Sequence, residues 1–409
     1  MNKGFQATGL FVTTATVLLA SNITLAADSD YAKAAQELAQ KAMIVDTHID
    51  APYRIKMHWE DLSGKTEKGE FDWVQAREGG LDIPFLVVYT PPDTEDKGTS
   101  FQVANTLFDH IEALVGRAPE KFALARNATE AEQAFKEGKV GLAIGMENGS
   151  PIEGKLENVA YFKNRGASYI SLSHGKANHL SDSSYDEERR WNGLSDFGRE
   201  VIVEMNRLGI MVDLSHLSDD AAWEALEISK VPVIASHSSA RHFTPDFERN
   251  LSDDMIKAVA EKGGVVQINF GSSFIKQEAT QWYDDMGEAR EAWMAEHGIA
   301  KDDPKRWGFG TTYREEHPFP YADLDDLVAH FKHVIDLVGV EHVGFGSDFD
   351  GVGDSLPEGM QGVADYPNLV ERLLALGLSE EDVAGIMGGN LLRVWKAADA
   401  YAAKAAAAP

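Results

Sequence analysis

The segment IMVDLSHLSDDAAWEALEISKVPVIASH, residues 210–237, contains the unit that decides the fold. Two short apolar runs rich in β-branched residues, Ile210–Leu214 and Val231–Ala235, flank Asp219–Ile228, whose apolar residues recur at helical spacing. Runs of nearly continuous apolar character are typical of strands buried on both faces of a parallel sheet. The segment therefore predicts a strand, a helix and a second strand, with a histidine just after each strand.

The same alternation extends over most of the chain. Helical spacing also appears at Ser195–Leu208 and Ser252–Glu261, where a serine stands at the position of a helix N-cap. Eight apolar runs predict strands: Met43–Val45, Ile83–Tyr89, Val140–Met146, Tyr169–Leu172, Ile210–Leu214, Val231–Ala235, Val265–Phe270 and His342–Gly346. Eight strand–helix alternations predict an α/β fold, a single (β/α)8 TIM-type barrel.

One stretch interrupts the alternation. The chain from Phe270 to His342 is too long for a single crossover helix and contains three tryptophans. We therefore expect an inserted, partly helical excursion at 271–320, between strands 7 and 8 of the barrel. A final helix is expected at Leu324–Leu337, and the whole domain is expected to occupy 27–409.

The first 26 residues have the layout of a cleaved signal peptide. Lys3 is their only charged residue, Leu10–Ala20 is apolar, and small residues precede Ala27. The apolar run is shorter than the ~18–20 residues that a membrane-spanning helix needs. We therefore expect a signal peptide at 1–26 and an exported protein without a membrane anchor.

Composition excludes several classes of function. The chain has 66 acidic and 38 basic residues, a formal charge of −28, and this field disfavours nucleic acid and anionic lipid surfaces as partners. It has no cysteine, which excludes disulfides, thiolate metal sites and a cysteine nucleophile. Two of three glycosylation sequons, Asn148 and Asn250, lie beside candidate site residues. A glycan at these two positions, added in a eukaryotic secretory pathway, would obstruct the site. The position of the sequons and the absence of disulfides therefore favour a bacterial periplasmic or secreted location.

Polar residues concentrate where the predicted strands end. In a parallel barrel all carboxyl ends of the strands open at one mouth, where the chemistry of this fold is built. A single histidine after an apolar run is more often structural than a ligand, but the joint placement indicates a site. The residues at these ends are His48, Asp50, Glu147, His174, His216, His237, Asn269, Asp348 and Asp350.

Imidazole and carboxylate groups without a thiolate are a ligand set for Zn²⁺ or a similar divalent ion. His48 and Asp50 project to the same side of an extended strand, so they can bind one ion together. His216 and His237, from adjacent strands, can bind a second ion. Glu147 could bridge the two ions. A pair of metals roughly 3.5–4 Å apart would make a bridging hydroxide available near neutral pH.

With these residues identified, the chain resembles the membrane dipeptidase (renal dipeptidase) family of metallopeptidases, as an exported bacterial member. The likeness extends from about Met43 to Asn390. The stretches that carry it are Val45–Asp50, Val88–Thr94, Gly145–Glu147, Tyr169–His174, Val212–His216, Ser236–Ser239, Arg249–Asn250 and Val343–Gly351.

The resemblance implies a (β/α)8 barrel that cleaves dipeptides with two zinc ions and tolerates a D-residue at the second position. It implies that His48 and Asp50 bind one zinc, that His216 and His237 bind the other, and that Glu147 bridges them. Another divalent metal remains open. Dimers are common in the family, so a homodimer also remains open.

The resemblance also implies roles for three residues that face the substrate. His174 would stabilise the oxyanion, Arg249 would pair with the substrate carboxylate, and Asp348 would engage the free amino group and manage the proton. A planar guanidinium fork suits a carboxylate. Arg241 and His242 remain open as substitutes for Arg249.

Two departures from the family pattern lie beside the expected pocket. The family commonly has a tyrosine after Phe270 that lines the pocket, and Gly271 stands there in this chain. The excursion is also longer than in the mammalian members. Side-chain preference therefore cannot be carried over.

Two alternatives stay open. One is another metal-dependent hydrolase on the same barrel, a deaminase or a lactonase. Those barrels usually carry His-x-His on the first strand, whereas this chain has His48-x-Asp50 and supplies Glu147 from the third. The other is an exported binding protein that has lost catalysis, for which a bridged metal pair would be unnecessary.

Overall fold

The computed structural model describes residues 31–300 and 303–407. The expected signal peptide, 1–26, lies outside the described residues. Across the described part of the chain, no helix combines the length and the apolar character that crossing a bilayer requires.

Nine parallel strands are present in the described residues, and eight of them close into a barrel. The strands are β1 (Ile44–Ile49), β2 (Leu81–Tyr89), β3 (Phe122–Leu124), β4 (Val140–Glu147), β5 (Ala167–Ser171), β6 (Met211–Asp213), β7 (Ile234–Ala235), β8 (Val265–Ile268) and β9 (Val343–Phe345). The barrel order is β2-β1-β9-β8-β7-β6-β5-β4, and pairing of β2 with β4 closes it. The predicted TIM-type barrel is therefore confirmed, and its eight strands are the eight predicted runs.

Three strands differ in detail from the prediction. β3 is an extra, unpredicted strand of three residues that pairs with the start of β4. β1 continues to Ile49, so Asp46 and His48 lie buried within it. β7 contains only two residues, because Pro232 has no N–H to donate to a strand ladder.

Helices form the layer outside the barrel. They are α1 (31–41), α2 (Ala51–Met57), α3 (Trp73–Gly79), α4 (Asp93–Asp96), α5 (Ser100–Arg117), α6 (Ala128–Lys136), α7 (Glu157–Arg165), α8 (Asp196–Leu208), α9 (Asp219–Ile228), α10 (Asp253–Glu261), α11 (Ser272–Ile275), α12 (Gln277–His297), α13 (Phe309–Glu316), α14 (Leu324–Val338), α15 (Tyr366–Ala375), α16 (Glu380–Ala384) and α17 (Asn390–Ala407). Ser195 and Ser252 cap α8 and α10 as predicted, each accepting a backbone N–H at the third helical position. α14 is the predicted final helix before the last strand.

The amino ends of the barrel strands are closed by α17. Val394 and Trp395 of this helix pack on the interior side chains that the strands contribute near their starts, among them Val45 and Phe85. The Trp395 and Phe85 rings lie 5.0 Å apart. Apolar side chains therefore fill this end of the barrel. The barrel opens at its other end, where the strands terminate.

The excursion folds over that open end. It is partly helical, as predicted, and consists mainly of α11, α12 and α13. A small aromatic cluster forms around Trp282. Trp282 packs edge-to-face against Tyr313 and Phe319, with centroids 5.3 and 5.1 Å away. The backbone N–H of Ser272 donates to the carbonyl of Ser355, 2.8 Å away, and joins the excursion to the loop after β9.

Candidate metal centre at the barrel mouth

Glu147 ends β4 and stands at the centre of the barrel mouth. Its Oε1 atom lies 2.8 Å from His216 Nε2 and 3.2 Å from His237 Nε2. The same oxygen lies 3.6 Å from both His48 Nε2 and His174 Nε2. Histidines that are spread over nearly two hundred positions therefore converge on one carboxylate, as the strand-end pattern predicted.

Two further carboxylates face His48 from the other side. Asp50 Oδ2 lies 3.5 Å and Asp348 Oδ1 lies 4.0 Å from His48 Nε2. Asn269 donates from Nδ2 to Asp348 Oδ2 at 2.8 Å and holds that side chain in place. A Cβ on Gly351 would lie 2.3 Å from Asp348 Oδ1 and 2.4 Å from Asp50 Oδ2, so glycine is required there.

Several strand ends leave the barrel through left-handed backbone. The φ angles are 76° at Asn148, 71° at His216 and 63° at Asp348, a region that non-glycine residues rarely adopt. Such residues cluster where function over-determines the backbone. The sharp turns aim the side chains of His216 and Asp348 into the mouth.

The carboxylates and imidazoles perturb each other strongly. Burial alone would raise the pKa of Glu147, but its interactions with the surrounding imidazoles, those of His174 and His48 foremost, hold it well below its usual range. Burial alone would lower the pKa of His48, but Glu147 and Asp50 raise it well above its ordinary value. Burial raises the pKa of Asp50 to about 7. The mouth is therefore a field of negative charge that favours a cation beside His48.

The other three histidines are held neutral. Burial lowers the pKa of His216 and of His237 well below the ordinary value, and it also lowers the pKa of His174. Neutral imidazole is the form that ligates a metal, because it offers a nitrogen lone pair.

The donor set fits a divalent metal. His48 Nε2 is buried and has no hydrogen-bond partner among the described residues, although three carboxylate oxygens surround it. Buried imidazole nitrogens and carboxylate oxygens without thiolates are typical ligands of Zn²⁺. The groups that could hold an ion are His48–Glu147–His237, Glu147–His174–His216 and His48–Asp50–Asp348.

Ring orientation and neighbouring carboxylates separate the histidines into two sets. The rings of His48 and His237 are stacked, with centroids 3.5 Å apart and planes 27° apart. The rings of His216 and His237 are tilted by 51°, and their Nε2 atoms lie 2.9 Å apart. His216 and His237 can therefore converge on one ion, whereas His48 also lies within 4.0 Å of Asp50 and Asp348.

A further group of potential ligands lies on the outer surface. His242, Asp253 and His333 come together there, but His333 Nε2 already pairs with Asp253 Oδ1 at 2.8 Å. The two imidazole rings are stacked with planes 20° apart, which directs their lone pairs into separate planes. This arrangement is that of a hydrogen-bonded surface pair, and we assign no metal to it.

Tyr169 supports His48 from inside the barrel, a contact that sequence reasoning missed. Its hydroxyl donates to the carbonyl of Thr47 at 2.9 Å, and His48 Nδ1 lies 2.9 Å from the same hydroxyl. Since that proton is used on the carbonyl, Nδ1 of His48 must donate, so Nε2 is the nitrogen that could bind a metal at the mouth. A Cβ on Gly145 would lie 2.1 Å from the Tyr169 ring, so glycine makes room for it.

Arg249 is buried beside the histidines. Its Nη2 donates to the carbonyl of His237 at 3.0 Å and lies 3.1 Å from His216 Nε2, while Nη1 donates to Ser238 Oγ at 2.6 Å. Its Nε is buried without a partner among the described residues, and its guanidinium lies over the Phe274 ring. The guanidinium therefore keeps donor capacity at the site.

The two substitutes that the sequence left open lie elsewhere. Arg241 forms a bidentate pair with Asp219, at 2.8 and 2.6 Å. His242 is exposed and stacks on His333. Of the three candidates, Arg249 is the one that the structure brings to the barrel mouth.

A cavity of about 570 Å³ opens above the histidines. The barrel supplies its floor, including Glu147, His174 and Asp348. The excursion supplies one wall through Phe274 and α12, and aromatic side chains line much of the rest. The α12 residues in this wall are Thr280, Tyr283 and Asp284.

Gly271 begins that wall, and a side chain there would require its neighbours to shift. A Cβ would lie 2.8 Å from Val352 Cγ1, 3.1 Å from Phe274 Cδ2 and 3.2 Å from Asn269 Oδ1. Val352 and Phe274, which both line the cavity, therefore occupy the space beside this position. The departure noted in the sequence reshapes the wall rather than leaving a gap.

Comparison of the sequence with known proteins identifies relatives of this chain. The chain matches the model of the family described as "Membrane dipeptidase (Peptidase family M19)" over residues 32–409. It is 32% identical over 383 residues to the uncharacterized dipeptidase C965.12 of Schizosaccharomyces pombe, covering 88% of this chain and 82% of that protein.

Solved structures share the fold. The probable dipeptidase PvdM from Pseudomonas aeruginosa superposes with a TM-score of 0.81 at 24% identity, covering 91% of this chain and 99% of that one. A metallopeptidase from Rhodobacter sphaeroides, liganded with a phosphinate mimic of the dipeptide L-Ala-D-Ala, gives a TM-score of 0.72 at 23% identity. That superposition covers 87% of this chain and 99% of the other.

Proposed function

The chain belongs to the membrane dipeptidase family, peptidase family M19, and from this premise we propose that it hydrolyses dipeptides with two zinc ions held at the barrel mouth. The enzyme is a metallo-dipeptidase by family. Zinc, the count of two and the roles of single residues are the proposed part.

The observation that carries the proposal is the position of one carboxylate. Glu147 Oε1 lies 3.6 Å from His48 Nε2 and within 3.2 Å of His216 Nε2 and His237 Nε2. Glu147 would bridge the ions, with His48 and Asp50 on one and His216 and His237 on the other. The contacts of His48 with Asp50 and Asp348 support this division.

Bound there, the ions would supply Lewis acidity that polarises the substrate carbonyl and makes hydroxide available near neutral pH. The protein would supply the positioning. Arg249 would receive the substrate carboxylate, since it is a buried cation with an unpartnered Nε. Asp348, held by Asn269, would receive the free amino group and a proton.

His174 would stabilise the oxyanion that develops on the substrate carbonyl. Burial keeps its imidazole neutral, and its ring packs between Tyr89 and His216, at centroid distances of 4.7 and 4.2 Å. A neutral imidazole still has one N–H to donate, and packing on both sides preorganises that donor.

One assay separates this proposal from the deaminase or lactonase and from the binding protein. Zinc content and turnover are measured on L,L- and L,D-dipeptides, with and without chelator. We expect two zinc ions per chain and dipeptide hydrolysis that chelation abolishes, including substrates with a C-terminal D-residue. Absence of cleavage by fully metallated protein would contradict the proposal, and cleavage of a lactone alone would favour the rival hydrolase.

Export is proposed alongside this activity. The supporting observation is the layout of residues 1–26, with Lys3 before an apolar stretch and small residues before Ala27. Amino-terminal sequencing of protein secreted to a bacterial periplasm should begin at Ala27. A mature protein that keeps Met1 in the cytoplasm would contradict it.

A further inference from the structure

We infer that Asp213 and Ser236 form a relay that positions His237 and fixes which of its ring nitrogens carries the proton. The inference rests on the proposed metal site, because it concerns how one ligand is presented to an ion. It assigns roles to residues that lie beneath the mouth and outside the cavity.

Asp213 ends β6 and is fully buried. Its Oδ1 accepts the backbone N–H groups of Ser215 and Ser236, at 3.1 and 2.8 Å. Its Oδ2 accepts two hydroxyls, that of Ser236 at 2.6 Å and that of Ser171 at 2.5 Å. Four donors therefore converge on this side chain, which suits a carboxylate that has no proton of its own.

The protons in the relay can be placed by counting. Ser236 Oγ lies 2.6 Å from Asp213 Oδ2 and 2.7 Å from His237 Nδ1, and each of these contacts needs one proton. The hydroxyl has only one, and the carboxylate can only accept, so Ser236 donates to Asp213. The proton between Ser236 and His237 must then come from the imidazole.

His237 is consequently protonated on Nδ1. Its Nε2 lone pair faces the mouth, 3.2 Å from Glu147 Oε1 and 2.9 Å from His216 Nε2. A ligating histidine is commonly oriented in this way by a carboxylate or carbonyl on its other nitrogen, and here a serine hydroxyl stands between. By contrast, Nδ1 of His216 and of His174 has no hydrogen-bond partner among the described residues.

Two serines provide a matched test. Ser171 and Ser236 are both fully buried and both donate to Asp213 Oδ2, but only Ser236 contacts His237. Ser171→Ala and Ser236→Ala therefore each remove one hydroxyl donor from Asp213 Oδ2. Only Ser236→Ala also removes the contact with His237. Loss of such an outer partner typically weakens metal affinity about 10–100-fold.

The measurement is zinc affinity by competition with a chromophoric chelator at fixed pH, with the unfolding temperature of each variant recorded separately. We expect Ser236→Ala to bind the zinc assigned to His216 and His237 about 10–100-fold less tightly and Ser171→Ala to stay within about threefold of the parent. Equal affinities in the two variants would overturn the relay. Absence of zinc binding by the parent would instead contradict the proposed function.

Asp213→Asn tests the direction of the protons without changing the shape of the side chain. The two backbone N–H groups would hold the amide oxygen at the Oδ1 position, which turns the NH₂ toward Ser236. Ser236 would then donate to His237 Nδ1 and move the imidazole proton to Nε2. ¹⁵N-histidine NMR should show this change of tautomer in the metal-free protein, with zinc affinity reduced at least as much as in Ser236→Ala. An unchanged tautomer would overturn the inference.

Discussion

The floor and the wall of the cavity are built on different principles. The floor comes from strand ends, and its residues are buried and held by further buried groups, as His48 is by Tyr169. The wall comes from the excursion, where Tyr283 is half-buried and Asp284 is exposed at the cavity edge. We therefore expect the barrel to supply the chemistry and the insertion to select among substrates.

Loss of the central carboxylate should have the largest effect. Glu147→Gln removes the charge that both sets of histidines face, so we expect loss of at least one metal ion and a rate reduced more than ~10³-fold, as for groups that act as a unit. Metal content and dipeptide turnover measure this. Glu157→Gln, which removes an exposed carboxylate from α7, is the control and should behave as the parent.

Replacement of His174 should separate catalysis from metal binding on the floor itself. His174→Ala should lower kcat about 10²–10³-fold, the usual effect of removing an oxyanion donor, while metal content stays unchanged. If the variant instead loses metal, His174 is a ligand, as its grouping with Glu147 and His216 would also allow.

Replacement of Arg249 should show a dependence on the substrate carboxylate. Arg249→Lys keeps the charge but loses the planar fork, so we expect kcat/KM for a dipeptide to fall roughly 10²-fold. For the same dipeptide amidated at its carboxyl end, the parent and the variant should be equally poor. Arg241→Lys, which alters a surface pair with Asp219, serves as the control, and a fall of equal size there would contradict the assignment.

The smallest expected effect belongs to the wall. Asp284 lines the cavity, and burial followed by the charge of Asp285 raises its pKa, whereas Asp350 in the same cavity is paired with Arg54 at 3.1 Å. Asp284 should therefore favour dipeptides with a cationic side chain.

The measurement is the ratio of kcat/KM for lysine-containing dipeptides to that for their norleucine counterparts, with the lysine placed first or second. Asp284→Asn should lower this ratio about two- to fivefold, as for a partly exposed ion pair. Asp285→Asn removes the same charge one position along, where the carboxylate accepts from Gln281 at 2.9 Å and does not line the cavity. A ratio that changes equally in both variants would mean that only net charge matters.

The floor could be predicted from the sequence because the end of each apolar run marks the end of a strand. A polar residue just after an apolar run, such as Glu147 or His237, is predicted to lie at the carboxyl end of a strand and therefore at the barrel mouth. The resemblance favoured Arg249, but excluding Arg241 as its substitute required the structure, since both residues follow the same strand and only their side-chain partners distinguish them.

The supporting residues and the wall could not be predicted. Tyr169 lies 121 residues from His48, and Asp213 lies 23 residues from Ser236, so neither contact leaves a local pattern. Buried polar residues within strands look like ordinary strand residues until their partners are known. The excursion lies outside the strand–helix alternation, so no sequence pattern indicated which of its residues would line the cavity.

Anomalous diffraction at the zinc edge from crystals of the zinc-loaded protein tests the two-ion floor most directly. We predict two peaks roughly 3.5–4 Å apart, with one Glu147 oxygen on each, His48 Nε2 on the first and His237 Nε2 on the second. A single peak, or two peaks that Glu147 does not touch, would contradict the proposed centre.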